Sequence, residues 1–318
     1  MTLKVLIDSH EGEAFYDLLR EVPNVEITQF PDDGNLAEYT AETEVYFGKP
    51  GVDILKISPK LKWIQAPSAG VEFVANIPEL VESEVLLTNT RGAHGPSIGE
   101  HALAMLLAMT RHIPESVLNQ AQRSWNRGAM YHTAREIGGL TMGIIGFGAL
   151  GRGIAQRAKA FEMNILAVDA QAVNGEPWVD EVWPVSRIND LLAQSDVVVV
   201  ACPLTAETRH LIGAEQFAEM KDDAYLIVVS RGGIVEQGAL RETLIGGKLA
   251  GVAIDVAEKE PLPAEDPLWD APRLLVTPHM AGASAPKERR CVEIFRDNLI
   301  RYQNDEPLIN LVDKSRGY

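Results

Sequence analysis

Residues Leu140 to Asp169 read LTMGIIGFGALGRGIAQRAKAFEMNILAVD, and this stretch decides the fold. The apolar run Met142 to Ile145 has the length and composition of a buried strand. It breaks into Gly146-Phe147-Gly148-Ala149-Leu150-Gly151, after which Ile154, Ala155, Ala158 and Phe161 recur at helical spacing. Asn164 to Val168 forms a second apolar run and ends on Asp169, 18 residues beyond Gly151. Strand, G-x-G-x-x-G, helix, strand and acid, in that order, make a dinucleotide cradle. Gly146 is expected to form the tight turn, Gly148 to let main chain approach a pyrophosphate, and Gly151 to let helix and strand pack closely. The pyrophosphate then rests on the amides of the first helical turn, at Ala149 and Leu150, where the helix end favours an anion. Asp169 is placed to accept hydrogen bonds from the adenosine ribose.

The same alternation runs outward on both sides of the cradle. Downstream, Asp196–Ala201, Ala224–Val229, Leu249–Ile254 and Leu274–Thr277 read as strands, with helices at Ala214–Met220 and Gln237–Ile245. Upstream, strands are expected at Leu3–Ile7, Val25–Phe30, Val45–Phe47, Leu61–Ala66 and Val85–Thr88. Ala14, Phe15, Leu18 and Leu19 mark a helix face, and Pro31-Asp32-Asp33-Gly34 stops the second strand. Strands alternating with helices imply parallel sheets covered on both faces. The fold class is therefore α/β, with two Rossmann-like or flavodoxin-like parallel-sheet domains and a cleft between them.

Near residue 97 the character of the chain changes. Ser97-Ile98-Gly99-Glu100 has capping-box spacing and precedes the apolar segment Ala102–Met109, which Pro114 should kink or restart. Polar sequence from Gln120 to Glu136 leads into the cradle and marks a boundary. The last helix, Ala285–Gln303, puts Val292, Phe295, Leu299 and Tyr302 on one face and has no sheet of its own. It is expected to return to the first domain. That gives a discontinuous substrate domain, 1–97 with 285–318, and a nucleotide domain, 98–284.

Bulk properties narrow the function. A chain of 318 residues suggests two domains, and 46% hydrophobic content can build sizeable cores. With 29 Lys and Arg against 45 Asp and Glu, the net charge is −16, a field that repels nucleic acid and anionic membranes. Two cysteines, Cys202 and Cys291, make neither a disulfide framework nor a metal spacing and fit a reducing cytosol. The start of the chain is too short in apolar residues for a signal peptide, and no run approaches a membrane span. The expectation is a cytoplasmic protein that binds no metal.

Polar residues collect where the strands of the second half end, which is where open parallel sheets bind ligands. Asp169, Cys202-Pro203, Ser230-Arg231, Asp255 and His279 each follow a strand, and Glu260 stands between Lys259 and Pro261. Singly, each reads as a surface or loop residue. Converging above a nucleotide cradle, an Arg, a carboxylate and a His suffice to bind a 2-oxo carboxylate and protonate its carbonyl.

Gly146–Gly151 with Asp169, Val229-Ser230-Arg231-Gly232-Gly233, Asp255-Val256-Ala257-Glu258-Lys259-Glu260-Pro261-Leu262-Pro263 and Thr277-Pro278-His279 together resemble the D-isomer-specific 2-hydroxyacid dehydrogenases. Arg231 and Glu260 lie 29 residues apart, Glu260 and His279 19 apart, intervals ordinary for that family. The likeness covers nearly the whole chain, including Gly99-Glu100-His101-Ala102-Leu103. The closing Asp313-Lys314-Ser315-Arg316-Gly317-Tyr318 is similar to the tail of the glyoxylate/hydroxypyruvate reductase branch. The resemblance implies that Arg231 holds the substrate carboxylate, that His279 is the proton donor in reduction, and that Glu260 orients it. It further implies NAD contacts from Cys202, Pro203, Val229, Ser230, Asp255, His279 and Gly282. Ser68-Ala69-Gly70-Val71 matches the loop whose amides take the other face of the substrate carboxylate, and Phe47 and Lys49 stand where members vary with substrate. A homodimer through the nucleotide domain is also implied. Cys202 replaces a common Thr, and Glu72 a frequent Asp.

Rival readings fall on particular residues. Formate dehydrogenase pairs its His with Gln, against Glu260; phosphite dehydrogenase needs a Lys that Ser68–Gly70 lacks. A phosphoglycerate dehydrogenase with an appended regulatory domain finds no room before Tyr318. Neither Ser68 nor Ser230 sits in G-x-S-x-G, and His94, His101 and His112 lack ligand spacing; these three histidines read as core, cap or solvated residues. The alternative from another class is an NAD(H)-sensing co-repressor on the same fold.

Overall fold

The computed structural model describes residues 2–8, 13–30, 35–51, 53–171 and 177–315. The Pro31–Gly34 stop, Glu176 and the closing Arg316-Gly317-Tyr318 lie outside them. Two compact units divide the chain, one formed by Met1–His94 with Ser284–Tyr318 and one by Gly95–Ala283.

In chain order the first unit holds β1 (Leu3–Ile7), α1 (Glu13–Arg20), β2 (Val25–Gln29), α2 (Leu36–Thr40), β3 (Val45–Phe47), α3 (Ile54–Ile57), β4 (Trp63–Gln65), α4 (Pro78–Glu82) and β5 (Leu86–Thr88). The second opens on three helices, α5 (Gly95–Thr110), α6 (Ile113–Ala121) and α7 (Gly128–Thr133). Then come β6 (Thr141–Ile145), α8 (Ala149–Ala160), β7 (Asn164–Asp169), β8 (Glu181–Pro184), α9 (Ile188–Gln194) and β9 (Val197–Val200). It closes with α10 (Ala214–Glu219), β10 (Tyr225–Val228), α11 (Gln237–Ile245), β11 (Gly251–Ile254) and β12 (Leu274–Val276). The last helix, α12 (Ala285–Gln303), belongs to the first unit.

Both sheets are parallel. The first has the order β2-β1-β3-β4-β5 and the second β12-β11-β10-β9-β6-β7-β8. Each order reverses direction once, at β1/β3 and at β6/β9, and such a switch point opens a crevice at the carboxyl ends of the strands. Side-chain alternation sorts each strand between two cores. In β9, Val198 and Val200 enter one core while Val197 and Val199 enter the other. In the first sheet, Val45 and Phe47 of β3 face α1 and α12, and Tyr46 faces the opposite side. Val292, Phe295 and Leu299 of α12 are buried in that same core, with Phe295 packed on Phe47 at 4.9 Å between ring centroids.

A buried polar chain secures this unit. Trp63 Nε1 donates to Thr88 Oγ1 at 2.7 Å, Thr88 donates to Gln65 Oε1 at 2.8 Å, and Asn298 Nδ2 reaches the same oxygen at 3.3 Å. Satisfied partners of this kind fix relative position, because a lone buried amide would cost about 1–3 kcal/mol.

One local expectation differs from the structure. α5 begins at Gly95, so Ser97 is inside the helix and its hydroxyl donates to Gly282 O at 3.3 Å instead of capping. Pro96 explains the earlier start, since the first turn tolerates a residue without an amide hydrogen. β8, α7 and α9 carry no clear periodicity in the sequence. Pro114 does restart the helix: α5 ends at Thr110, His112 adopts a left-handed φ of 55°, and α6 follows with the proline in its first turn.

Candidate active site

The cradle is built as its glycines require. Gly146 has φ of +93°, and a Cβ there would sit 2.6 Å from the Cys202 main chain. At Gly151 a Cβ would lie 2.3 Å from Gly146 O, so the helix start is pressed onto the turn. Beyond Gly148 the space is open, with nothing within 4 Å of a Cβ. This open face and the helix that starts at Ala149 fit a pyrophosphate. Asp169 holds the turn from the next strand: its Oδ2 accepts from Phe147 N at 2.7 Å and its Oδ1 from Gln171 N at 2.8 Å. Leu150 and Gly282 are half-buried, and Pro203 is exposed. Cys202, Val229 and Ser230 are buried at the ends of β9 and β10, and burial pushes the Cys202 thiol up to about 12.

Three segments after β10, β11 and β12 carry the remaining polar residues. Half-buried Arg231 donates to Ser230 O at 2.8 Å. Its neighbour Gly232 lies against the next loop, where a Cβ would fall 1.8 Å from Ala257 O. Glu260 Oε1 accepts from Ala257 N at 2.9 Å, and its Oε2 meets His279 Nδ1 at 2.6 Å. His279 and Glu260 are both solvent-facing, with side chains 48% and 36% exposed. At that exposure the pair adds little to stability; it sets the orientation of the ring. The loop anchoring Glu260 therefore touches the loop carrying Arg231 and bonds the imidazole. All of this lies within the second unit.

In the first unit, the loop after β4 is held by its carbonyls. Thr90 Oγ1 donates to Pro67 O at 3.1 Å, Thr90 N to Ser68 O at 3.1 Å, Asn89 Nδ2 to Ala69 O at 2.9 Å, and Ser68 Oγ to Gly70 O at 2.6 Å. Among the described residues none accepts a hydrogen bond from the amides of Ala69, Gly70 or Val71.

Two further residues expected at the site have buried side chains. Phe47 is 1% exposed and packs on Phe15 and Phe295, so its side chain is core. Strand parity is the reason, because it shares a face with Val45; Lys49, two residues on, is exposed. Asp255 has a side chain only 1% exposed, and its oxygens are taken by Thr277, Met280 and Ala281. In this structure it anchors the loop that carries His279. His101, read from the sequence as a core, cap or solvated residue, places its Nε2 2.9 Å from Thr277 Oγ1. Only its position one turn inside an apolar helix could have signalled a buried partner. Among the described residues no group of His, Cys, Asp or Glu could hold a metal ion, and no helix is long and apolar enough to cross a membrane.

Residues 103–281, more than half of the chain, match the family profile described as D-isomer specific 2-hydroxyacid dehydrogenase, NAD binding domain. The chain belongs to that family. The D-isomer specific 2-hydroxyacid dehydrogenases are oxidoreductases, and the cofactor of this one is a nicotinamide dinucleotide. It is 33% identical to glyoxylate/hydroxypyruvate reductase B of Pectobacterium carotovorum, over 91% of this chain and 90% of that one. It is 30% identical to D-3-phosphoglycerate dehydrogenase of Methanocaldococcus jannaschii over 98% of this chain, but spans only 59% of that protein's length. A solved D-isomer specific 2-hydroxyacid dehydrogenase family protein from Aeromonas salmonicida superposes with a TM-score of 0.86 at 31% identity, covering 99% of this chain and 100% of that one.

Proposed function

We propose that this dehydrogenase uses NAD(H) to interconvert a small 2-oxo acid, of the glyoxylate, hydroxypyruvate or pyruvate kind, with the D-2-hydroxy acid. The observation that carries the reading is the 2.6 Å bond from His279 Nδ1 to Glu260 Oε2, on the same sheet edge as the glycine cradle. When bound, the nicotinamide supplies or accepts the hydride at the carbonyl carbon. The protein's own part is to place the acid and move a proton. With Nδ1 engaged by Glu260, Nε2 of His279 gives a proton to the developing alkoxide in reduction and takes it back in oxidation. Glu260 fixes which ring nitrogen does this. Arg231 receives the substrate carboxylate as a two-pronged donor, and in the first unit the amides of Ala69, Gly70 and Val71 are donors suited to a carboxylate. Lys49, in place of Phe47, meets the substituent that differs between substrates.

Asp169 favours NAD(H), since its charge would repel a 2′-phosphate and residues 170–186 hold no Arg or Lys to neutralise one. The reading extends to a cytosolic homodimer assembled through the nucleotide-binding unit; the low cysteine count, with both Cys202 and Cys291 buried, supports the reducing compartment, and light scattering would test the dimer. The decisive assay follows NADH oxidation with glyoxylate, hydroxypyruvate, pyruvate and bulkier 2-oxo acids. Turnover of at least one small acid is expected. Tight NADH binding with no turnover of any of them would overturn the reading.

A further inference from the structure

We propose that His101 is a positioning residue for His279, acting through Thr277 and Asp255; this rests on His279 being the proton donor. The argument starts from a buried charge. The Asp255 side chain is 1% exposed, so its carboxylate must be matched by donors. Thr277 Oγ1 donates to Oδ1 at 2.6 Å, Met280 N to Oδ1 at 2.9 Å, and Ala281 N to Oδ2 at 2.8 Å. Two of these donors are the amides immediately after His279. The amide of His279 itself donates to Asp255 O at 2.8 Å. Asp255 therefore grips the main chain at His279 and on its far side. That grip is needed, because His279 has φ of +51°, a left-handed conformation that costs a residue with a Cβ about 1 kcal/mol or more.

The hydrogen-bond directions then assign His101. A threonine hydroxyl has one hydrogen. Three acceptors could take it, the Asp255 carboxylate at 2.6 Å, an unprotonated His101 Nε2 at 2.9 Å and the Met105 sulfur at 3.8 Å, and the shortest bond, to a charged oxygen, wins. Thr277 Oγ1 is left with a lone pair facing His101 Nε2 at 2.9 Å, so that nitrogen carries the proton and donates. The same Nε2 lies 3.5 Å from Asp255 Oδ1. The chain His101–Thr277–Asp255 thus has a fixed polarity and ends on the main chain of His279.

His101 also stands on a rigid support. It projects from α5, which packs main chain to main chain on α8: a Cβ at Gly99 would fall 2.5 Å from Gly153 O. Because α8 is the cradle helix, its position and that of His279 are tied through α5 and His101. Without the imidazole donor, the Thr277 hydroxyl is free to rotate and the loop loses its register. A misplacement of about 1 Å at a reacting group can cost up to about 100-fold in rate.

The test compares His101→Leu, His101→Gln, Thr277→Val and Thr277→Ser, with His101→Leu also built into His279→Ala. His101→Leu should lower kcat for 2-oxo acid reduction about tenfold while NADH affinity and the 2-oxo acid KM stay within about twofold. His101→Gln, whose amide can donate, should recover to within about threefold of the parent. Thr277→Val should lose as much as His101→Leu, and Thr277→Ser should recover. In His279→Ala the added His101→Leu should change nothing, since residues acting as one unit are not additive. An unchanged kcat in His101→Leu would overturn the proposal, as would a loss that persists in full on top of His279→Ala. If His101→Leu does not fold, the Val and Ser variants at 277 decide by the same criterion. Activity that survives in His279→Ala itself would instead sink the proton-donor reading, and the role of His101 with it.

Discussion

The two sheets present their carboxyl ends in different chemical terms. In the second unit the edge works through side chains, with Asp169, Arg231, Glu260 and His279 each held by a neighbouring main-chain or side-chain group. In the first unit the loop after β4 is tied down through main chain: the carbonyls of Pro67, Ser68, Ala69 and Gly70 each accept a hydrogen bond, and the amides of Ala69–Val71 donate to none of the described residues. Proton transfer needs titratable groups, so the edge proposed to be catalytic must use side chains. Holding a carboxylate needs only fixed donors, and oriented amides provide them without a side chain.

This contrast can be broken experimentally. The largest effect should come from His279→Ala, with kcat falling about 10²–10⁴-fold and NADH affinity, read by fluorescence titration, unchanged. Arg231→Lys should be next. It keeps the charge but loses the fork, so the KM for the 2-oxo acid should rise about tenfold or more with NADH binding unaltered. Asn89→Ala removes the donor to Ala69 O and should raise that KM about threefold to tenfold, leaving kcat nearly intact. A collapse of kcat there would erase the distinction between the two edges. Cofactor choice is a comparable effect: kcat/KM for NADH should exceed that for NADPH at least about tenfold, about 1.4 kcal/mol.

The smallest effect lies at the opposite end of the second sheet, where charged side chains serve the fold alone. Burial works against ionisation of Asp196, but Thr141 N at 2.9 Å, Lys221 at 3.0 Å and Arg135 at 3.6 Å outweigh it and hold the carboxyl below its usual range. A depressed folded-state value gives stability that is present above the unfolded value and lost as pH falls through the folded one. Asp196→Asn should therefore lower Tm modestly at neutral pH. The gap to wild type should close as the solution is acidified below the ordinary carboxylate range.

What could be read from the sequence follows the same division. The G-x-G-x-x-G turn, Arg231, Glu260 and His279 are side-chain or glycine signals at fixed spacing, and they stand in the chain as plainly as in the fold. α12 is legible because its apolar positions repeat cleanly; the structure adds the cap, Ser284, which accepts from Lys287 N at 3.2 Å. Phe47 misleads because strand parity, invisible in a three-residue strand, decides which face it takes. The contacts joining Asp255, Thr277 and His101 are not legible, because a buried charge and its donors come from segments far apart in sequence. β8 was missed because Glu181 and Pro184 give an edge strand no apolar run.

The cysteines have a use that their chemistry conceals. One lies in each unit, Cys291 in the first and Cys202 in the second, and both are buried. Only a thiolate attacks an alkylating reagent, and burial holds Cys202 far from that form at neutral pH. Either sulfur can therefore be modified only when the structure around it opens. Pulsed alkylation followed by mass spectrometry would then time those openings separately, with two native reporters and no engineered label.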